Sequence, residues 1–450
     1  MPVQSRSEPL AGFSPYVLLT RPAETHRLIR AEPPVRLVRE ESGFTYFLVS
    51  GHAEARRALR DPRLSNDPRR LGHASGAAVA HSPMANDDPP AHTRLRRLVS
   101  HGFTRRRIAA LEPRIERAVA ELVDAVAPVG RADLIADFAF PLPVLVISEL
   151  LGIPTGDRAA FRTWAARTLS VETGPRTRDE RSRRLRAYFG GLVEAKRAGL
   201  RHDVPPDEQP DLLSALLVAR DDGGLSDEEL VGLAMLVLVA GHETTTNLIG
   251  NGLLTLFAHP DQFKELREDP ALLPGAVEEL LRFEGSAGQS ALRVAVEDVE
   301  LGGTLIPAGS VVNVGLSLAN RDPAAFGGAG TEQEAGADEE APAGAVAGAD
   351  RFDIRRAPNP HLAFGHGIHF CLGAPLARAL ASYAFAALFA RLPGLALDVP
   401  PEELRWRQIS ILCGLTRLPV SFRPEVRVDG RPEDRSEGRP DTRPEETSTA

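Results

Sequence analysis

A chain of 450 residues, 43% hydrophobic and 25% charged, carries enough apolar material for a large buried core and lacks the composition of a disordered protein. Its formal net charge of −8 speaks against a nucleic-acid partner. Two cysteines, Cys371 and Cys413, are too few to staple a secreted scaffold, and the N-terminal run MPVQSRSEPLAGFSPYVLL has no basic region followed by an apolar core, so a cytoplasmic protein is expected.

In chain order, Val35 to Ser50 reads as two short strands turning at Ser42 and Gly43, with Phe44, Tyr46 and Leu48 alternating against Thr45, Phe47 and Val49. From Pro90 to about Leu256 apolar residues recur at three- and four-residue spacing, as in Leu111, Ile115, Ala118, Val119, Leu122 and Val126, which predicts mostly helix. A second strand patch, LRVAVEDVELGGTLIPAGSVVNV, turns at Gly302 and Gly303, and helix returns after Cys371. The expected fold class is mainly α with small β-sheets. Two segments read as peripheral to the core: residues 327–349, small and acidic, and the Pro-, Arg- and Glu-rich tail from 424 to 450.

Four motifs carry chemistry. In FGHGIHFCLG (Phe364 to Gly373) a cysteine stands just ahead of an amphipathic helix with Pro375 in its first turn, where helix N–H groups favour a thiolate. Gly365, Gly367 and Gly373 strip side chains from both sides of the sulfur, as close approach to a flat macrocycle requires. A buried structural cysteine, a thiol nucleophile, and a zinc site using His366, His369 and Cys371 are the competing readings, the last against the usual demand for two or more cysteines. The second motif lies in the apolar run Leu230 to Pro260, interrupted by Gly241, His242, Glu243 and Thr244; no 18-residue apolar stretch remains, so a core helix of about 28 residues is expected rather than a membrane span. An acid beside a hydroxyl in such a helix is costly unless used. EELLR places Glu279 and Arg282 at i,i+3, a spacing that alone means a surface ion pair. DPPAHTRLRRLVSHGF sets His92 and Arg96 one helical turn apart.

FGHGIHFCLG resembles the haem-binding loop of the cytochrome P450 family, AGHETT its oxygen-binding helix, and EELLR its Glu-x-x-Arg motif. The resemblance spans Asp88 to Gly373 and implies one domain, residues 1–423, built around a buried haem b with 327–349 as an insertion. It implies Cys371 as the iron ligand, whose electron donation favours O–O cleavage. Phe364 would pack by the sulfur between Gly365 and Gly373, Ala240 and Gly241 would lie against the cofactor, and Gly241 would leave room for dioxygen. Thr244 is the implied hydroxyl that bonds dioxygen, and Glu243 the acid that relays protons. His92, Arg96, Arg293 and His369 would hold the propionates, and Arg351 would complete the structural ion-pair network of Glu279 and Arg282.

The implied activity is that of a haem-thiolate monooxygenase hydroxylating or epoxidising a medium-sized, mostly apolar small molecule such as a macrolide, terpenoid or steroid. Leu236, Val239, Ala240, Gln289, Ser290, Ile409 and Leu412 are its expected pocket walls. Electrons are expected from NAD(P)H through ferredoxin reductase and a ferredoxin, to a monomer that needs no membrane, with Arg97, Arg105, Arg106 and Arg107 either attracting that acidic partner or forming only a solvated basic face. A catalytically silent relative that only binds haem or activates a partner is the alternative. The chain departs from the family pattern in the 327–349 insertion and in EGSAGQS (Glu284 to Ser290).

Overall fold

The long apolar run forms a single helix, Asp227–Ala258, of 32 residues, about 48 Å at 1.5 Å per residue. It starts earlier than the apolar pattern predicts because Ser226 and Glu229 form a capping box: the Ser226 hydroxyl accepts from the Glu229 N–H and the Glu229 carboxylate from the Ser226 N–H. A helix apolar on nearly every side must be covered on every side. It packs against Pro141–Leu150, Pro175–Arg197, Leu273–Glu284, Ala374–Arg391 and the Leu412–Leu415 strand. This computed structural model describes residues 10–11, 33–40, 42–75, 82–158, 161, 175–221, 224–327, 348–409 and 411–425. The expected insertion, apart from its ends, and the tail from 426 onward lie outside them. Among the described residues no helix is long and apolar enough to cross a membrane.

Both strand patches form as expected; the outer strands of the second join the first in one sheet, while its hairpin Val299–Leu301 and Thr304–Ile306, turning at Gly302 and Gly303, is a separate two-stranded sheet. The hairpin Val35–Arg39 and Thr45–Val49 pairs antiparallel, Thr45–Val49 runs parallel to Val311–Val314, and Arg293–Ala295 and Leu64–Ser65 follow on the far side. Smaller two- and three-stranded sheets complete a mainly helical fold. The largest apolar cluster joins the central helix to Arg105–Val126, Pro141–Leu150 and Ala374–Arg391. One consequence matters for chemistry: the central helix passes close to the loop that carries Cys371, with a cavity between them.

Candidate active site

The cavity has a volume of about 420 Å³, within the range of about 300–1,000 Å³ common for ligand pockets. Cys371 opens onto it from the loop Phe364–Gly373. That loop is closed by the Cys371 N–H donating to the Phe364 carbonyl (2.9 Å). Gly365 and Gly367 have φ of +71° and +77°, a region that disfavours side chains, and a Cβ on Gly367 would lie 2.7 Å from the Leu59 carbonyl oxygen. Burial pushes the Cys371 thiol pKa up, while N–H groups of Gly373 and Ala374, at the start of the helix Ala374–Arg391, and the charges of Arg96 and Arg378 pull it down. Arg378 bridges three parts of the site. It donates to both Glu278 carboxylate oxygens (2.6 and 2.7 Å), lies 4.6 Å from the Phe364 ring centroid, and shares Glu278 with His361 (3.0 Å).

His92, Arg96, Arg293 and His369 all border the same cavity. The His92 and His369 rings lie 4.3 Å apart. His92 is buried with neither ring nitrogen hydrogen-bonded, and Arg293 Nε is likewise unpartnered. Burial, helped by His92 and Arg293, lowers the pKa of His369 to about 3, and burial lowers that of His92. Buried donors without partners are expensive. Such donors on His92 and Arg293, with Arg96 and His369 at the same cavity edge and the Cys371 sulfur on its wall, fit a group that carries carboxylates and a thiolate-seeking metal, which is the chemistry of haem. Among the described residues no three His, Cys, Asp or Glu side chains converge as a metal site, so the zinc reading of His366, His369 and Cys371 falls.

On the central helix, Leu236, Ala240, Gly241 and Thr244 face the cavity. The Thr244 hydroxyl donates to the Ala240 carbonyl (2.7 Å), as Thr245 does to Gly241 and Thr246 to His242. Glu243 is not part of the cavity wall; it points to the strand Trp406–Ile409, where Arg407 donates to its carboxylate. Burial raises the Glu243 pKa, and Arg407 and Asn247 act against that rise.

Other expectations need correction. Arg351 does not complete the Glu279 network: its side chain is exposed, and only its carbonyl takes part, accepting from Arg282 and Arg356. Arg356 occupies that role, its Nε 3.2 Å from both Glu279 oxygens. The Glu279–Arg282 pair, unremarkable as a sequence spacing, is completely buried, with two 2.7 Å bonds. Val239 is 43% exposed and outside the cavity wall. Gln289 and Ser290 line the cavity, but Leu412 does not; Ile411, one residue earlier, does. The Ile409 side chain lies outside the described residues, though its backbone pairs with Leu412. Of the arginines expected to face an electron donor, Arg106 pairs with Asp207 (2.8 Å) and Arg107 donates to the Gln209 carbonyl (2.7 Å).

A cytochrome P450 family model matches residues 174–402. The cytochrome P450 monooxygenase PikC of Streptomyces venezuelae is 46% identical over 410 residues, covering 89% of this chain and 91% of that protein. The 6-deoxyerythronolide B hydroxylase of Saccharopolyspora erythraea is 39% identical over 424 residues, covering 90% and 96%. Among solved structures, the ligand-free P450 monooxygenase TamI superimposes with a TM-score of 0.78 at 39% identity, covering 92% of this chain and 94% of that one.

Proposed function

Since this chain belongs to the cytochrome P450 family and is a monooxygenase that uses haem and dioxygen, we propose that it hydroxylates or epoxidises a medium-sized natural product of polyketide, terpenoid or steroid character. The observation that carries the reading is the cavity itself: Cys371, Thr244 and four basic side chains border one space whose remaining walls, such as Leu236, Val237, Leu248 and Ile411, are mainly apolar. Similarity to a hydroxylase named for 6-deoxyerythronolide B favours the polyketide branch.

In this reading Cys371 holds the iron, His92, Arg96, Arg293 and His369 hold the carboxylates, and Phe364 packs beside the sulfur. When bound, the haem supplies the iron at which dioxygen is reduced and its O–O bond cleaved, with thiolate electron donation favouring cleavage. The apolar walls orient the substrate and limit water, which protects a proton-dependent reaction from side paths. Thr244 offers its hydroxyl oxygen to a water or oxygen in the cavity, and Glu243 provides the proton that passes along this hydroxyl. Glu279, Arg282 and Arg356 act as scaffold behind the cysteine loop. Electrons come from NAD(P)H through ferredoxin reductase and a ferredoxin, to a cytoplasmic monomer. The alternative of a silent relative loses its basis, because such a chain has no need of an acid–alcohol pair beside a substrate-sized cavity.

The test is spectroscopic. Haem-supplied protein, reduced and exposed to carbon monoxide, should show the red-displaced Soret peak of a thiolate ligand, and Cys371→Ser should lose it. Absence of that peak in the unaltered protein overturns the reading. Titration with a compound panel led by 6-deoxyerythronolide B, followed by the low- to high-spin shift, then tests the substrate class.

A further inference from the structure

The strands Trp406–Ile409 and Leu412–Leu415 form a two-stranded ribbon against the central helix. The fit is close. Any Cβ on Gly414 would overlap the Asn247 side-chain amide, and Asn251 Nδ2 donates to the Cys413 carbonyl (3.1 Å). The Cys413 N–H donates to the Ser286 carbonyl (3.1 Å), and the Ser286 hydroxyl donates to the carbonyl of Thr244. The ribbon is therefore bonded to the central helix at Asn251 and, through Ser286, tied to the Thr244 carbonyl, and it delivers Arg407 to Glu243.

The groups facing Glu243 are few. Asn247 bonds its carboxylate. His242 Nδ1 lies 3.9 Å from Oε2, but burial and Arg407 hold the His242 pKa down at about 3, so it carries no charge near neutral pH. Among the described residues Arg407 is thus the positive charge set against this carboxylate, in a pair whose side chains are 20% and 6% exposed. Thr244 lines the cavity and Glu243 does not.

We propose that Arg407 is a positioning residue for proton delivery: it latches the Glu243 carboxylate in an ion pair outside the cavity, and a proton passes only when the pair parts and Glu243 turns toward Thr244. Each proton given up leaves Glu243 as a carboxylate, which pairs again with Arg407 and takes its next proton from solvent at that partly exposed side. The inference rests on the reading of Glu243 as the proton donor.

Two readouts on the haem-loaded protein test it, with Arg407→Gln, Arg407→Lys, Glu243→Gln and the double variant Glu243→Gln with Arg407→Gln. The first is thermal unfolding against pH. A carboxyl whose folded pKa is raised contributes stability that is complete below its unfolded pKa and is lost as pH rises through the folded value. Without Arg407 that loss deepens, so the Tm deficit of Arg407→Gln should at least double between about pH 5 and about pH 8. The deficit should be flat with pH when Glu243→Gln is also present, whereas loss of packing alone is flat in both backgrounds. The second is the pH profile of substrate-free NAD(P)H oxidation with a plant-type ferredoxin and its reductase. Its apparent pKa should rise by about one unit in Arg407→Gln, a tenfold change in protonation equilibrium, and return most of the way in Arg407→Lys. A pH-independent deficit together with an unmoved profile overturns the latch. If Glu243→Gln leaves the profile of the unaltered protein unchanged, the assignment of Glu243 fails instead.

Discussion

Replacing Arg356 and Arg351 by alanine, one at a time, separates an arginine that the fold uses from one that merely sits nearby. Arg356 Nε lies 3.2 Å from both Glu279 oxygens, and its terminal nitrogens donate to the carbonyls of Phe326 (3.1 Å), Gly348 (2.8 Å) and Arg351 (2.9 Å), with the side chain 13% exposed. In Arg356→Ala, Glu279 keeps the buried Arg282, so no isolated charge remains. What is lost is the set of donors. Hydrogen bonds from a charged group contribute about 1.5–3 kcal/mol each. Water entering the vacated space satisfies part of the carbonyls, so the net loss corresponds to about two such bonds, or about 3–6 kcal/mol. At about 2.1 cal/mol/K of unfolding entropy per residue, a chain of this length has close to 0.9 kcal/mol/K, which turns that loss into a Tm drop of about 3–7 °C. Arg351 is exposed and bonded only through its carbonyl, so Arg351→Ala should stay within about 0.5 kcal/mol. Melts of the haem-loaded variants followed by circular dichroism measure both. Equal losses, or a loss below about 1 kcal/mol for Arg356→Ala, would refute the reasoning.

Glu278 is half-buried, which works to raise its pKa, yet Arg378 and His361 together hold it at about 2 against an ordinary 4.5. The stability it contributes is complete above its ordinary value and is lost as pH falls toward the folded one. Urea melts at stepped pH should therefore show the gap between the unaltered protein and Glu278→Gln closing across that interval; a constant gap contradicts the pairing. His92→Ala removes a buried donor from the cavity edge and should speed haem loss to apomyoglobin by about 10–100-fold, the equivalent of one charge-assisted hydrogen bond. An unchanged rate removes His92 from the cofactor's anchors. Gly414→Ala forces a Cβ into the Asn247 amide and should cost about 1–3 kcal/mol in denaturant melts; full stability would mean that the ribbon is less tightly seated than its contacts indicate.

The parts of the site legible in the sequence are those fixed by local geometry. Glu279 and Arg282 stand one turn apart on one helix, and Cys371 precedes the helix whose N–H groups serve it. His92 and Arg96 are likewise one turn apart on Ala91–Ser100. Where a choice depended on the path of a loop, the sequence offered candidates without ranking them. Arg351, Arg355 and Arg356 lie within six residues, and only the bend after Asp353 brings Arg356 onto Glu279. Val239 fails for a simpler reason. At about 100° per residue, the stripe formed by Leu236, Val237, Ala240, Gly241 and Thr244 leaves Val239 on the far side of the helix. Pairing of Ile409 with Leu412 puts Ile411 at the ribbon's turn, a register that no single-strand pattern reveals. Arg407 lies 164 residues from Glu243, and a lone arginine in a strand carries no mark of its partner.

That ribbon ties two properties of the enzyme to one piece of chain. Ile411 at its tip forms part of the wall that a guest molecule meets, while Arg407 near its base grips the acid, four residues away along a stiff pair of strands. Reshaping the tip to admit a different guest therefore pulls on the acid as well, so altered selectivity and altered yield per electron consumed will be inherited together.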